Sequence, residues 1–141
     1  MSAEALLEPE AMVTIKVADA PLTVINWLVA KIRKIHDSDI GIYYATGKIT
    51  VHGRTYEPTS DWATGGPYLL EYGISTFDLP SGINVAEHAH YKPGHLWEAE
   101  IMVPDTDSIR YCGFNQLDSG MRCLVEKYYG AEIRVPALLI K

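Results

Sequence analysis

The sequence is short of cysteine and of positive charge and has no long apolar run, and each shortage excludes a class of protein. Cys112 and Cys123, the two cysteines, stand eleven residues apart with no CxxC pairing. A thiolate zinc knuckle is therefore excluded, and a disulfide framework of the kind that staples small secreted domains has no material to form from. Reduced thiols in a cytoplasmic setting are the expectation. No stretch approaches the roughly 18 consecutive apolar residues of a membrane span, and the acidic start MSAEALLEPEAM lacks the basic-then-apolar order of a secretory signal. No membrane partner is expected. Lys plus Arg number 12 against 18 Asp plus Glu, a formal charge of -6, which argues against nucleic acid as a partner, since tracking a phosphate backbone relies on counterion release by cations. The one dense basic run, Lys31 to Lys34, is spaced like the wet face of a helix.

What the chain does have is an ordinary globular mixture, 48% hydrophobic and 21% charged over 141 residues. That is enough for one domain with a real core and too little for two. Residues 1–11 read as a flexible N-terminal arm, interrupted by Pro9, and residues 12–141 as the domain. Val13, Ile15 and Val17 alternate with Thr14 and Lys16, the period of a half-buried strand. Leu22, Ile25, Leu28, Val29 and Ile32 then recur at three and four, with Pro21 suited to a first turn and basic residues at the far end, which predicts a helix. Two β-branched and aromatic runs around Thr46-Gly47 predict a hairpin within 41–56. Strands are expected over 83–91, 96–103 and 108–112, with Pro93-Gly94 and Pro104-Asp105 as breaks. Met121, Leu124, Val125 and Tyr128 share a helical face, with Asp118 or Ser119 as cap and Gly130 at the left-handed end. A last strand follows at 131–136. Strands that cluster, with two principal helices, predict an α+β fold with a mainly antiparallel sheet in a single domain.

The stretch YEPTSDWATGGPYLLEYG, residues 56–73, holds the first candidate site. Pro67 suits a first helical turn, so a short helix over 68–72 is expected, with Gly65 and Gly66 at its N-terminus. Bare glycine N–H groups at the positive end of a helix suit a phosphate. Thr64 would donate a hydroxyl, Trp62 would offer a ring face, and Ser60 or Asp61 would accept from a base or ribose. Such parts fit a small anionic, nucleotide-like ligand. The plainer alternative is a tight turn with Trp62 in the core and Asp61 as a cap, and neither GxxxxGKS nor GxGxxG is present.

The same stretch resembles a signature of the NinX-like phage proteins, a family of unknown function with a Pro-Ser-Thr-Asp-Trp-Ala-x-Gly-Gly-Pro run. SGMRCLVEKYYGAEIRVPALL, residues 119–139, is similar to that family's closing helix and strand, and LTVINWLVAKIRKI to its first helix. Thr59-Ser60 reverses the family order, Asn26 stands where Asp is usual, and 83–110 matches none of its runs. The resemblance implies a phage accessory protein dispensable for the virion, working in the host cell cytoplasm, and it supplies no reaction. By analogy, small phage proteins that sequester nucleotide signals without cleaving them suggest a role in countering host defence. Arg122, inside the closing helix, joins the candidate ligand set as a cation for a phosphate or for Asp61, with a structural ion pair as the alternative.

EHAHYKPGHLWEAE gathers His88, His90 and His95 with Glu87, Glu98 and Glu100. On a strand His88 and His90 would share a face, and a Pro93-Gly94 turn would bring His95 back toward them, which is ligand chemistry for zinc or another transition metal. Gly82, five residues and then His-x-His also resembles the first metal motif of cupins, but the Glu position holds Gly94 or His95 and no second motif follows. No nucleophile is identifiable: GxSxG is absent and Cys123 lies among apolar helix neighbours. The sequence therefore favours a non-catalytic binder with no required cofactor. A metal-dependent enzyme at the histidines and a binder of a host protein are the alternatives, and a homo-oligomer is expected.

Overall fold

The computed structural model describes residues 11–43, 45–79, 88–104 and 107–140. Residues 1–10 of the expected 1–11 arm, Gly82 with the first five residues of the expected 83–91 strand, and Asp105 at the second expected break lie outside these residues. Among the described residues eight strands and three helices form one α+β domain, and all strand pairing is antiparallel. β1 (Met12–Lys16) pairs with β8 (Glu132–Pro136) in a two-stranded sheet that joins the two ends of the domain. β2 (Ile40–Tyr43), β3 (Lys48–Val51) and β4 (Arg54–Thr55) form a second sheet, and β5 (Ile74–Asp78), β6 (Trp97–Ile101) and β7 (Ile109–Gly113) a third.

Helix α3 (Gln116–Tyr129) is central. Every residue from Leu117 to Val125 is buried, because one side packs on the Ile74, Ala99, Ile101 and Tyr111 face of the third sheet and the other meets α1 (Leu22–Ile32). Burial of Leu117, Met121, Leu124 and Val125, all at 0% exposure, stabilises the fold by about 1.5–3 kcal/mol per side chain. Asn115, not Asp118 or Ser119, caps α3, and its Oδ1 accepts the Asp118 N–H at 2.8 Å. The helix thus starts three residues earlier than an Asp118 cap would place it and four earlier than a Ser119 cap would. Asp118 is needed elsewhere, since its carboxylate accepts the Phe114 N–H and pairs with Arg122. Gly130 ends the helix at φ +91°. Pro21 sits at the cap position of α1, immediately before the first turn.

Helix α2 and strand β5 differ from the sequence expectation. Helix α2 covers Trp62–Glu71, starting five residues before Pro67. Asp61 explains the earlier start: its Oδ1 accepts the Ala63 N–H at 3.0 Å and its Oδ2 accepts the Thr64 hydroxyl at 3.0 Å, a complete N-cap. β5 was not expected at all, because Ile-Ser-Thr-Phe-Asp has only two large apolar residues and its pattern is set by pairing with β6.

Candidate functional site

The first candidate set divides into three places. Ser60, Asp61, Trp62 and Thr64 gather at the start of α2, with Ser60 in the preceding turn, Asp61 at the cap, Thr64 half-buried and Trp62 51% exposed. Gly65 and Gly66 lie inside the helix and not at its N-terminus. The Gly65 N–H is spent on the Asp61 carbonyl at 2.8 Å. A Cβ at Gly65 would overlap the Pro58 carbonyl oxygen, and one at Gly66 would come within 3.1 Å of the Trp62 ring. Both glycines therefore serve close packing, one under the 57–60 turn and one under the indole. The positive end of α2 is already occupied by the Asp61 carboxylate, which a phosphate would meet with repulsion. Arg122 is in the core at 9% exposure: its Nε donates to Asp118 at 2.8 Å and its Nη1 to the Val17 carbonyl at 2.7 Å. Its bonds tie α3 to the turn after β1, and none reaches Asp61. Five surface cavities are formed by described residues, and none of these five is lined by any of the seven candidates.

The motif's polar letters have a structural use. Asn26 on α1, 5% exposed, accepts the Thr59 N–H at 3.1 Å and the Thr59 hydroxyl at 2.9 Å. This buried pair pins the turn that precedes α2, and an Asp at the same place offers the same acceptors.

The histidines are not gathered. Residues 88–91 form a bend and turn in place of the expected strand, with His90 at φ +57°. His88 Nδ1 lies 3.0 Å from Glu98, the His90 ring stacks on Tyr111 at 4.3 Å between centroids, and His95 Nδ1 accepts the Lys92 N–H at 3.1 Å. The turn reverses the chain between His88 and His90, so the shared strand face never forms. Among the described residues no group of three His, Cys, Asp or Glu side chains is placed to hold a metal ion. Burial pushes the Cys112 thiol up to about 11 and that of Cys123 higher still, the opposite of what an attacking thiolate needs. Burial likewise raises Tyr56 and Tyr111, the latter with a hydroxyl donating to Glu126 at 2.6 Å.

A better-built concavity lies elsewhere. A cavity of about 390 Å³ is lined by Trp27, Leu28 and Lys31 of α1, Tyr129 at the end of α3, and Glu132, Ile133 and Arg134 of β8. Trp27 and Lys31 are one helical turn apart, so they share a face, and the Lys31 ammonium stands 4.7 Å from the indole centroid while pairing with Asp37 at 2.9 Å. Burial raises the Tyr129 hydroxyl above its ordinary value, with Lys31 acting against that shift and Asp37 adding to it. Arg134 and Glu132 have no ion pair among the described residues. Two aromatic rings, an apolar floor of Leu28 and Ile133, and two cations thus border one space. The i, i+4 spacing of Trp27 and Lys31 was visible in the sequence, whereas Tyr129 and Arg134 reach them through the packing of α3 on α1 and the position of β8 directly after α3.

No protein-family model matches the chain, and no curated protein matches it at a significant level.

Proposed function

We propose that this chain is a non-catalytic binding protein that takes a small anionic, ring-bearing ligand of the nucleotide-derived class in the cavity between α1, the end of α3 and β8. The observation that carries the proposal is the convergence of Trp27, Tyr129, Lys31 and Arg134 on one space of about 390 Å³, which lies within the size range of small-ligand pockets. Trp27 and Tyr129 supply faces for a planar ring. Arg134, without an ion-pair partner among the described residues, supplies a planar fork for a phosphate or carboxylate, and Lys31 a second cation once it is drawn from Asp37. The raised thiols and tyrosines support binding over chemistry. The resemblance to the NinX-like proteins supports a phage accessory role in the host cytoplasm, in which capture of a nucleotide signal would blunt host defence.

The test is calorimetric titration of the purified protein with adenosine 5′-monophosphate (AMP) and with phenyl phosphate. Trp27→Ala is expected to weaken both at least tenfold, the scale of one lost base–aromatic stack, and Trp62→Ala to leave both unchanged. The reverse pattern would return the site to the start of α2.

A further inference from the structure

β8 meets the cavity in an unusual way. Glu132, Ile133 and Arg134 are consecutive, yet all three line it. Side chains alternate across a strand, so a space bordered by three residues in succession faces the strand's edge, where the main chain is. The hydrogen-bond phase of the β1–β8 pair says which main-chain groups point there. The Val17 N–H donates to the Ala131 carbonyl at 2.9 Å and the Ala137 N–H to the Ala11 carbonyl at 3.0 Å, and the register between them is unbroken from Lys16↔Glu132 to Met12↔Pro136. In an antiparallel pair, residues alternate between exchanging both bonds with the partner and directing both groups away from it. Ala131, Ile133, Val135 and Ala137 therefore face β1, and the N–H and C=O groups of Glu132 and Arg134 point outward. Pro136 shares their phase and has no N–H to offer. β8 has β1 as its only strand neighbour among the described residues, and no main-chain bond there uses the outward groups of Glu132 or Arg134.

Resting on the binding role proposed above, we infer that the ligand's ring is a nucleobase whose adjacent hydrogen-bond donor and acceptor are read by the open edge of β8, with the Glu132 carbonyl accepting and the Arg134 N–H donating. Adenine offers an N6–H beside the N1 acceptor, and guanine an N1–H beside the O6 acceptor. Bases out of a duplex are recognised in this manner, by hydrogen bonds to the Watson–Crick edge and by flanking aromatic faces. Here Trp27 and Tyr129 provide the faces, and the Arg134 side chain, on the outer face of the strand, provides charge for a phosphate. The alternative occupant of an open edge is another strand, from a peptide or from a second copy of this chain. The edge is short for that purpose, because only two residues present both groups before Pro136 ends it.

The experiment compares AMP with N6,N6-dimethyl-AMP and GMP with 1-methyl-GMP by calorimetry, with phenyl phosphate as a ring and anion that lacks the edge. The parent nucleotide that binds should exceed its methylated form about tenfold, the scale of one or two lost hydrogen bonds. Arg134→Pro, which deletes the outward N–H and leaves the ladder to β1 intact, should bind more weakly than Arg134→Ala, with circular dichroism confirming that both fold. Equal binding of parent and methylated forms would overturn the edge reading while leaving the cavity in place. Binding of phenyl phosphate alone would do the same. If neither nucleotides nor phenyl phosphate bind, the cavity reading falls with it. A stable dimer that Arg134→Pro converts to monomer would assign the edge to a second copy and overturn the inference.

Discussion

At the scale of single residues, the chemistry-bearing letters of the sequence divide between those that hold the fold and those left over. Asn26, Asp61, Gly65, Gly66 and Arg122 are all consumed by packing or hydrogen bonds within the chain. A motif of polar residues and glycines is ambiguous because capping, close approach and ligand binding draw on the same side chains. Trp27 and Arg134, by contrast, border a cavity with a ring and a charge. His95 gives a residue-level prediction about pH. Burial holds it below its ordinary value of 6.5, chiefly by desolvating the imidazolium, and its Nδ1 accepts a backbone N–H that protonation of that nitrogen would turn away. The folded state therefore binds the proton less readily than the unfolded chain. Stability is fully present above about pH 6.5 and is lost as pH falls from there through the lower folded value. Denaturant midpoints measured between pH 7 and pH 5 should decline, and His95→Asn should flatten that part of the curve.

At the scale of elements, the sequence was most legible where periodicity and pairing agree. β1, α1, the β2–β3 hairpin, β6, β7, α3 and β8 all appear within a few residues of where spacing places them. The misreadings have physical causes. α2 was displaced because Pro67 and two glycines, each unfavourable inside a helix by about 1 kcal/mol for Gly and about 3 for Pro, look like its boundary; the Asp61 cap and close packing over Pro58 offset that cost. The strand expected through His88 and His90 fails where the chain turns at His90. For α3, the Asp118–Arg122 pair lies at 1% and 9% exposure, so Arg122→Met strands a buried carboxylate. Such breaks cost about 3–5 kcal/mol, readable as a fall in the urea midpoint. AMP affinity at a denaturant-free, folded condition should not change, which separates the structural role of Arg122 from the ligand role that its position in the closing helix suggested.

At the scale of the whole molecule, the α+β architecture and its antiparallel pairing were readable in advance, and no helix of the described residues is long and apolar enough to cross a membrane. The cavity was not readable, because its walls come from residues 27 and 31 on one side and 129 and 134 on the other, far apart in the chain and brought together by the packing of α3, with β8 after it, on α1. Local spacing reports faces of one element and is silent on which faces meet. Of the three indoles, Trp62 on α2 is exposed and Trp27 in the cavity and Trp97 in the third sheet are half-buried; Trp62 and Trp27 are the rival platforms, and Trp97, outside both sites, is the internal reference. Their indole N–H signals in a proton–nitrogen correlation spectrum provide the most direct test of where a ligand sits. On titration with AMP, the Trp27 signal should move progressively and saturate while those of Trp62 and Trp97 stay in place. Movement of Trp62 with Trp27 unmoved, or no movement of any of the three at millimolar AMP, GMP or phenyl phosphate, would contradict the assignment of ligand binding to the cavity between α1 and β8.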